Sequence, residues 1–81
     1  MTARVYVSLK QSILDPQGQT ICAALASLGH TSINSVRQGK FFEITIAPGA
    51  DRARVSNEIE EIARDVLSNP VMEEYRVELG D

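Results

Sequence analysis

Between Leu9 and Gly18 the hydrophobic period of the chain changes from two to about 3.6, and that change limits the folds open to it. Upstream, Ala3, Val5, Val7 and Leu9 alternate with Arg4, Tyr6, Ser8 and Lys10, which predicts a strand with one inward face. Downstream, Ile21, Leu25 and Leu28 fall at i, i+4 and i+7, which predicts a helix with one apolar stripe. Asp15 suits the N-cap between them, because its carboxylate can accept from the free N–H groups of a first turn. Pro16 suits the first helical position, where a missing N–H costs nothing. Gly18 fits less well, since glycine in a first turn costs roughly 1 kcal/mol against alanine. Either the helix starts near Gln19, or something approaches the backbone closely at Gly18.

The rest of the chain follows in the same terms. Gly29 stands where a left-handed C-cap is expected. Ile33 and Val36 predict a second strand whose broken alternation implies a bulge near Asn34-Ser35. Arg37-Gln38-Gly39-Lys40 reads as a hairpin turn into a third strand carrying Phe42, Ile44 and Ile46 on one face. Asp51 is placed to cap a second helix, along which Val55, Ile59, Ile62 and Val66 form a stripe. Glu60 and Arg64 are placed to pair at i, i+4. Ser68-Asn69-Pro70 ends the helix. A fourth strand alternates through Tyr75, Val77 and Leu79, and Gly80-Asp81 is left as a tail. The predicted architecture is α+β, β-α-β-β-α-β: one domain over residues 1–81, with two helices on one face of a four-stranded antiparallel sheet, ferredoxin-like. Its other sheet face is expected to hold Tyr6, Phe41, Glu43, Thr45, Met72, Glu74 and Arg76. There Tyr6, Phe41 and Met72 either cluster into a partner patch or stand singly.

Eighty-one residues bury a marginal core, and such chains usually need a disulfide, a metal or a partner. Cys22 is the only cysteine and His30 the only histidine, so neither a disulfide nor a four-ligand zinc site can form within the chain. A partner subunit is the remaining aid. Eight Lys and Arg face eleven Asp and Glu, a net charge of −3, with no basic stripe for nucleic acid. No apolar run approaches the ~20 residues that span a bilayer. The single unpaired cysteine fits a reducing compartment, so a cytoplasmic protein is expected. No nucleophile, base and orienting group stand together in the sequence, and no catalytic residue is assigned. His30 reads as a helix-end residue, Cys22 as a thiol beside the apolar stripe, and the Glu58, Glu60, Glu61 and Asp65 cluster as a solvated helix face.

Four fragments, in order and at kept spacing, resemble the PurS family. They are Val5-Tyr6-Val7-Ser8-Leu9-Lys10, Leu14-Asp15-Pro16-Gln17-Gly18, Val36-Arg37-Gln38-Gly39-Lys40 and Asn69-Pro70-Val71-Met72-Glu73-Glu74-Tyr75. The resemblance spans nearly the whole chain. It implies a non-catalytic small subunit of phosphoribosylformylglycinamidine synthase, in purine biosynthesis, a glutamine-dependent ligase. It further implies partners: a second copy of itself, as a homodimer or tetramer, with a synthetase and a glutaminase bridged by this subunit. Ammonia released from glutamine would pass to formylglycinamide ribonucleotide within that assembly. No cofactor is expected on this subunit, ATP and magnesium belonging to the synthetase. Asp15, Pro16, Gln17 and Gly18 match the family's joint, and Arg37, Gly39 and Lys40 its hairpin; both segments are expected to face a partner. Arg37 offers a planar donor fork suited to carboxylates, so its reversal to Glu should weaken assembly and leave the fold intact. The alternative is a regulatory module of the ACT type, binding an amino acid near the glycine after the first strand. Gly18 comes late for that pattern. An acylphosphatase-like site would need an arginine just after the first strand, where only Lys10 stands.

Overall fold

A computed structural model describes residues 1–80. The strands are β1 (Thr2–Leu9), β2 (Gly39–Thr45) and β3 (Glu73–Gly80), and the helices are α1 (Pro16–Ser27) and α2 (Arg52–Ile62). The sheet has three strands, not four, in the order β2-β1-β3, with both pairings antiparallel. The expected second strand is absent because Ile33 and Val36 are three apart, a spacing that cannot keep both on one face of a strand. Among the described residues, no backbone hydrogen bond joins Ser32–Arg37 to a neighbouring strand. Arg37–Lys40 is therefore not a hairpin. Nor does Gly39 take the positive φ a hairpin would use; only Gly29 and Gly49 do. Of the expected tail, Gly80 closes β3, and Asp81 lies outside the described residues.

Strand alternation builds the core. Ala3, Val5 and Val7 point to one face and are at most 1% exposed. Val55, Ile59 and Ala63 of the second helical segment lie over them. Phe42, Ile44, Ile46, Tyr75, Val77 and Leu79 border this cluster and are only partly buried. The α2 stripe runs as expected to Ile62. A π-helical turn, Ala63–Leu67, then follows. It widens the spiral and shifts the phase, so Ala63 is buried and Val66, expected on the stripe, is 73% exposed. Arg64 does not pair with Glu60. Its guanidinium bonds Asp65 at 2.8 and 3.1 Å, while Glu60 accepts from the Tyr75 hydroxyl at 3.0 Å.

Only one helix covers the sheet. α1 makes no extensive contact with the sheet or with α2. The molecule measures 51 × 27 × 14 Å, with a radius of gyration of 16.3 Å. A compact chain of this length would give about 12 Å, and an eight-residue strand spans only about 26 Å. The excess length is an arm made of α1 and the extended segment after it. Both ends of α1 are well made, which explains a helix that lacks tertiary packing. Asp15 caps its start, with Pro16 in the first turn. At its other end Gly29 adopts φ 95°, its amide reaches Ala26 O at 3.1 Å, and the His30 amide reaches Leu25 O at 2.9 Å. These two bonds are a Schellman cap.

Candidate functional site: the joint and the arm

The two segments singled out in the sequence meet in space at the base of the arm. Asp15 is the one buried charged residue among those described, 6% exposed. Its carboxylate accepts from the Gly18 amide through Oδ1 at 3.0 Å and from the Gln38 amide through Oδ2 at 2.7 Å. One side chain therefore caps α1 and also clamps the end of the returning segment to it. The Gln38 and Gly18 amides hold the Asp15 carboxyl below its ordinary range, because both bond to the ionised form.

Gly18 is explained by the second of the two options open from sequence. The helix does begin at Pro16, and the backbone of Val36 passes over Gly18. A Cβ at Gly18 would lie 2.1 Å from Val36 O and 2.8 Å from Asp15 Oδ2. Gly39 is required for a similar reason: a Cβ there would lie 2.6 Å from Val7 O.

Arg37, though exposed, is folded back onto its own chain. Its Nη2 donates to Leu9 O, Lys10 O and Ile13 O at 3.1, 3.0 and 3.2 Å. Leu9 ends β1, and Lys10 and Ile13 lie in the loop between β1 and α1, so Arg37 ties both connections of the arm together. Reversal to Glu would disturb this joint as well as any contact outside it. Arg37→Ala should loosen the loop, at on the order of 1 kcal/mol. Hydrogen exchange of the 10–14 amides should rise, with the sheet amides unchanged. Lys40 bridges to Glu73 at 3.4 Å, which closes the joint against β3. Pro16 and Gln17 lie on the outer side of the first turn and are exposed.

Two hollows flank the joint. An open groove of about 710 Å³ runs between α1 and the extended segment, with Leu14, Cys22, Ala23, Ala26 and Val36 on its walls. A polar cleft of about 260 Å³ lies on the other side, bordered by Asp15, Gln17, Gln38, Lys40 and Glu73. Asp15 is already committed to the Gly18 and Gln38 amides, and Lys40 and Glu73 to each other. Asp15 and Arg37 also line the groove, and the apolar stripe of α1 faces solvent: Ile21 is 39% and Leu28, its C-cap, 75% exposed. No group of three or more metal-binding side chains occurs among the described residues.

The outer sheet face answers the question left open about its aromatic residues. Tyr6 and Phe41 do pair, with ring centroids 5.2 Å apart. The Arg76 guanidinium lies 4.3 Å from the centre of the Tyr6 ring. The Tyr6 hydroxyl donates to Glu78 at 3.0 Å, and Arg76 pairs with Glu78 at 2.6 Å. Arg76, and then Tyr6, hold the Glu78 carboxyl below its usual range. Met72 stands apart from this group, in the turn before β3. Sequence alone missed the partners of these residues. Tyr6 and Glu78 are 72 positions apart, and only the strand register brings Tyr6 opposite both Phe41 and Arg76.

Fold and joint define a small α+β domain, a three-stranded sheet with one covering helix and a projecting arm. The family model for PurS, phosphoribosylformylglycinamidine (FGAM) synthase, matches residues 2–81, and the chain belongs to that family. The phosphoribosylformylglycinamidine synthase subunit PurS of Mycobacterium leprae is 47% identical over 75 residues, covering 93% of this chain and 90% of that protein. PurS of Methanocaldococcus jannaschii, one of the subunits of formylglycinamide ribonucleotide amidotransferase in the purine biosynthetic pathway, superposes with a TM-score of 0.83. It is 32% identical, over 95% of this chain and 92% of that one. The structure of PurLQS from Thermotoga maritima contains the same fold, with a TM-score of 0.85 at 23% identity over 95% of this chain and 93% of that one. The chain is thus a subunit of FGAM synthase and serves purine biosynthesis. The regulatory-module alternative is not favoured. The space beside Gly18, where it would seat a ligand, is filled by Val36 O and the Asp15 carboxylate.

Proposed function

We propose that this subunit works by assembly: it dimerises through its arm and holds a glutaminase against a synthetase. The observation that carries this reading is the apolar stripe of α1, exposed on a helix of twelve residues. Helices this short are marginal in water unless their apolar face is packed. A capped helix that offers Ile21 and Leu28 to solvent is built to be covered. The Thermotoga maritima relative is found as PurLQS, and by analogy this chain joins a similar complex. Within it, ATP and magnesium act on the synthetase. This subunit contributes alignment, so that ammonia passes between sites before solvent protonates it to an ammonium ion, which is no nucleophile. Asp15, Pro16, Gln17, Gly18, Arg37, Gly39 and Lys40 fix the angle of the arm and border the partner. No helix among the described residues is long and apolar enough to cross a membrane, and we place the subunit in the cytoplasm.

Ile21→Asp combined with Leu28→Asp tests the reading without touching the folded core. Both side chains are exposed in the single chain, so the fold should survive by circular dichroism. Two carboxylates forced into an apolar contact should weaken self-association on the order of 100-fold or more. Analytical ultracentrifugation should show a dimer for the parent and a monomer for the variant. Size-exclusion chromatography with the synthetase and glutaminase should show the variant eluting alone. A monomeric parent would refute the dimer.

A further inference from the structure

β3 forms one edge of the sheet, and the phase of its ladder fixes which of its backbone groups point away from β1. The Lys10 amide donates to Met72 O at 2.9 Å, one position beyond the last ladder pair, Leu9 with Glu73. Antiparallel ladders alternate between pairs that exchange two hydrogen bonds and pairs that exchange none. Ser8 with Glu74, Tyr6 with Arg76 and Arg4 with Glu78 are therefore the bonded pairs. Glu73, Tyr75, Val77 and Leu79 turn their amides and carbonyls to the outer side. Arg52 agrees with this phase, reaching Leu79 O from that side at 3.1 Å. The Glu73 amide is taken up by Asn69 O at 2.7 Å. Between these two ends, the amides and carbonyls of Tyr75 and Val77 have no partner among the described residues. Exposed edges are normally guarded by proline, a bulge, shortness or lysine. β3 has eight residues, an unbroken register and neither proline nor lysine. Its surroundings are acidic instead. Glu74 and Glu78 stand on its outer face, beside Arg76. On the other face α2 and the π-helical turn bring up Glu60, which bonds the Tyr75 hydroxyl, and Asp65, whose charge reaches the same hydroxyl. Arg76 is committed to Glu78 at 2.6 Å and Arg64 to Asp65 at 2.8 Å. Glu60 and Glu74, one on each face, have no basic partner among the described residues.

We infer that the β3 edge docks an extended basic segment of the synthetase, which adds as a strand beside Tyr75 and Val77 and sets lysines or arginines against Glu60 and Glu74. The inference rests on the assembly role proposed above and not on the dimer. Strand addition satisfies the four backbone groups that Tyr75 and Val77 leave unpaired. Alternate side chains of an added strand fall on the two faces, and each face offers one carboxylate that lacks a cation. A second copy fits poorly, because its own β3 would bring the same carboxylates to the contact in a chain whose net charge is already −3. Between the two larger subunits, charge selects the synthetase. It holds ATP and a ribonucleotide, whose phosphates call for a basic surface, whereas glutamine has no net charge and calls for none.

Amide hydrogen exchange of the unmodified subunit tests this, alone and with the matching synthetase and glutaminase added singly and together. Alone, the Tyr75 and Val77 amides should exchange fast, and the Arg76 amide, bonded to Tyr6, slowly. With the synthetase, the Tyr75 and Val77 amides should slow by about 10-fold or more. Glu74→Lys alters an exposed position without a partner, so the fold and the mass by ultracentrifugation should not change. It should bind the synthetase on the order of 10-fold more weakly at low salt. Tyr75 and Val77 amides that stay fast in a complex that co-elutes would overturn the docking edge and leave the assembly role standing. So would protection already present in the subunit alone, which would put a second copy on the edge, or protection by the glutaminase only. Glu74→Lys binding as tightly as the parent would overturn the charge match. Failure of the three proteins to co-elute would overturn the assembly role and this inference with it.

Discussion

Replacing Gly18 with Ala should destabilise the subunit by about 2 kcal/mol or more, although helix propensity alone favours the change. In an unconstrained helix Gly to Ala gains roughly 1 kcal/mol. At this position the new Cβ would meet Val36 O at 2.1 Å and Asp15 Oδ2 at 2.8 Å. Neither neighbour can yield cheaply, because one is backbone and the other is clamped by two amides. Overpacking of this kind costs about 1–3 kcal/mol, and more where backbone must move. The steric term outweighs propensity. Urea denaturation at one fixed protein concentration reads the difference, with Gly29→Ala as a control that meets no atoms and suffers only from its φ of 95°. A Gly18→Ala protein as stable as the parent would show that Val36 does not pass over α1.

The second large effect is expected at Asp15, and it depends on pH. Asn at this position has one acceptor oxygen, so the Gly18 amide or the Gln38 amide loses its partner. Because the folded Asp15 carboxyl is held below its ordinary range, its stabilisation is fully present above the unfolded value of about 3.9. It is lost as pH falls through the lower folded value. Asp15→Asn should therefore melt well below the parent at neutral pH. The gap should shrink steadily on acidification below that range, as the parent's carboxylate takes up its proton. Melting curves from neutral to strongly acidic pH test this. A gap that stays constant with pH would mean that the charge of Asp15 adds nothing to the clamp.

These two residues also mark how far the sequence could be read. Asp15 and Pro16 announced the start of α1, and Gly29 its end, because caps depend on local backbone geometry. Val5, Val7, Val55 and Ile59 were assigned to the core by period alone. Gly18 was visible as an anomaly, yet nothing local could name Val36 as its neighbour, 18 positions away. The stripe of Ile21, Leu25 and Leu28 was read as a face packed on the sheet, and in the single chain Ile21 and Leu28 are exposed. It was assigned to the chain's own sheet because periodicity carries no information about which surface a stripe meets, and α1 makes no extensive contact there. Ile33 and Val36 led to a fourth strand that the single chain does not form. Arg37 and Lys40 were read as part of a hairpin turn facing a partner, whereas Arg37 folds back onto three carbonyls of its own chain and Lys40 pairs with Glu73. Val66 left the stripe because a π-helical turn changes the phase of the last residues. The two segments of the joint stood out in the sequence, but how they are held together is set by contacts that span the chain.

The most direct test of the assembly role is glutamine-dependent FGAM synthase activity of the matching synthetase and glutaminase, with and without this subunit. Activity and co-elution of the pair should appear only when the subunit is added. They should fail to appear with Ile21→Asp/Leu28→Asp, while the synthetase supplied directly with ammonia should not need it. Full glutamine-dependent activity and stable co-elution of the pair without the subunit would contradict the assembly role.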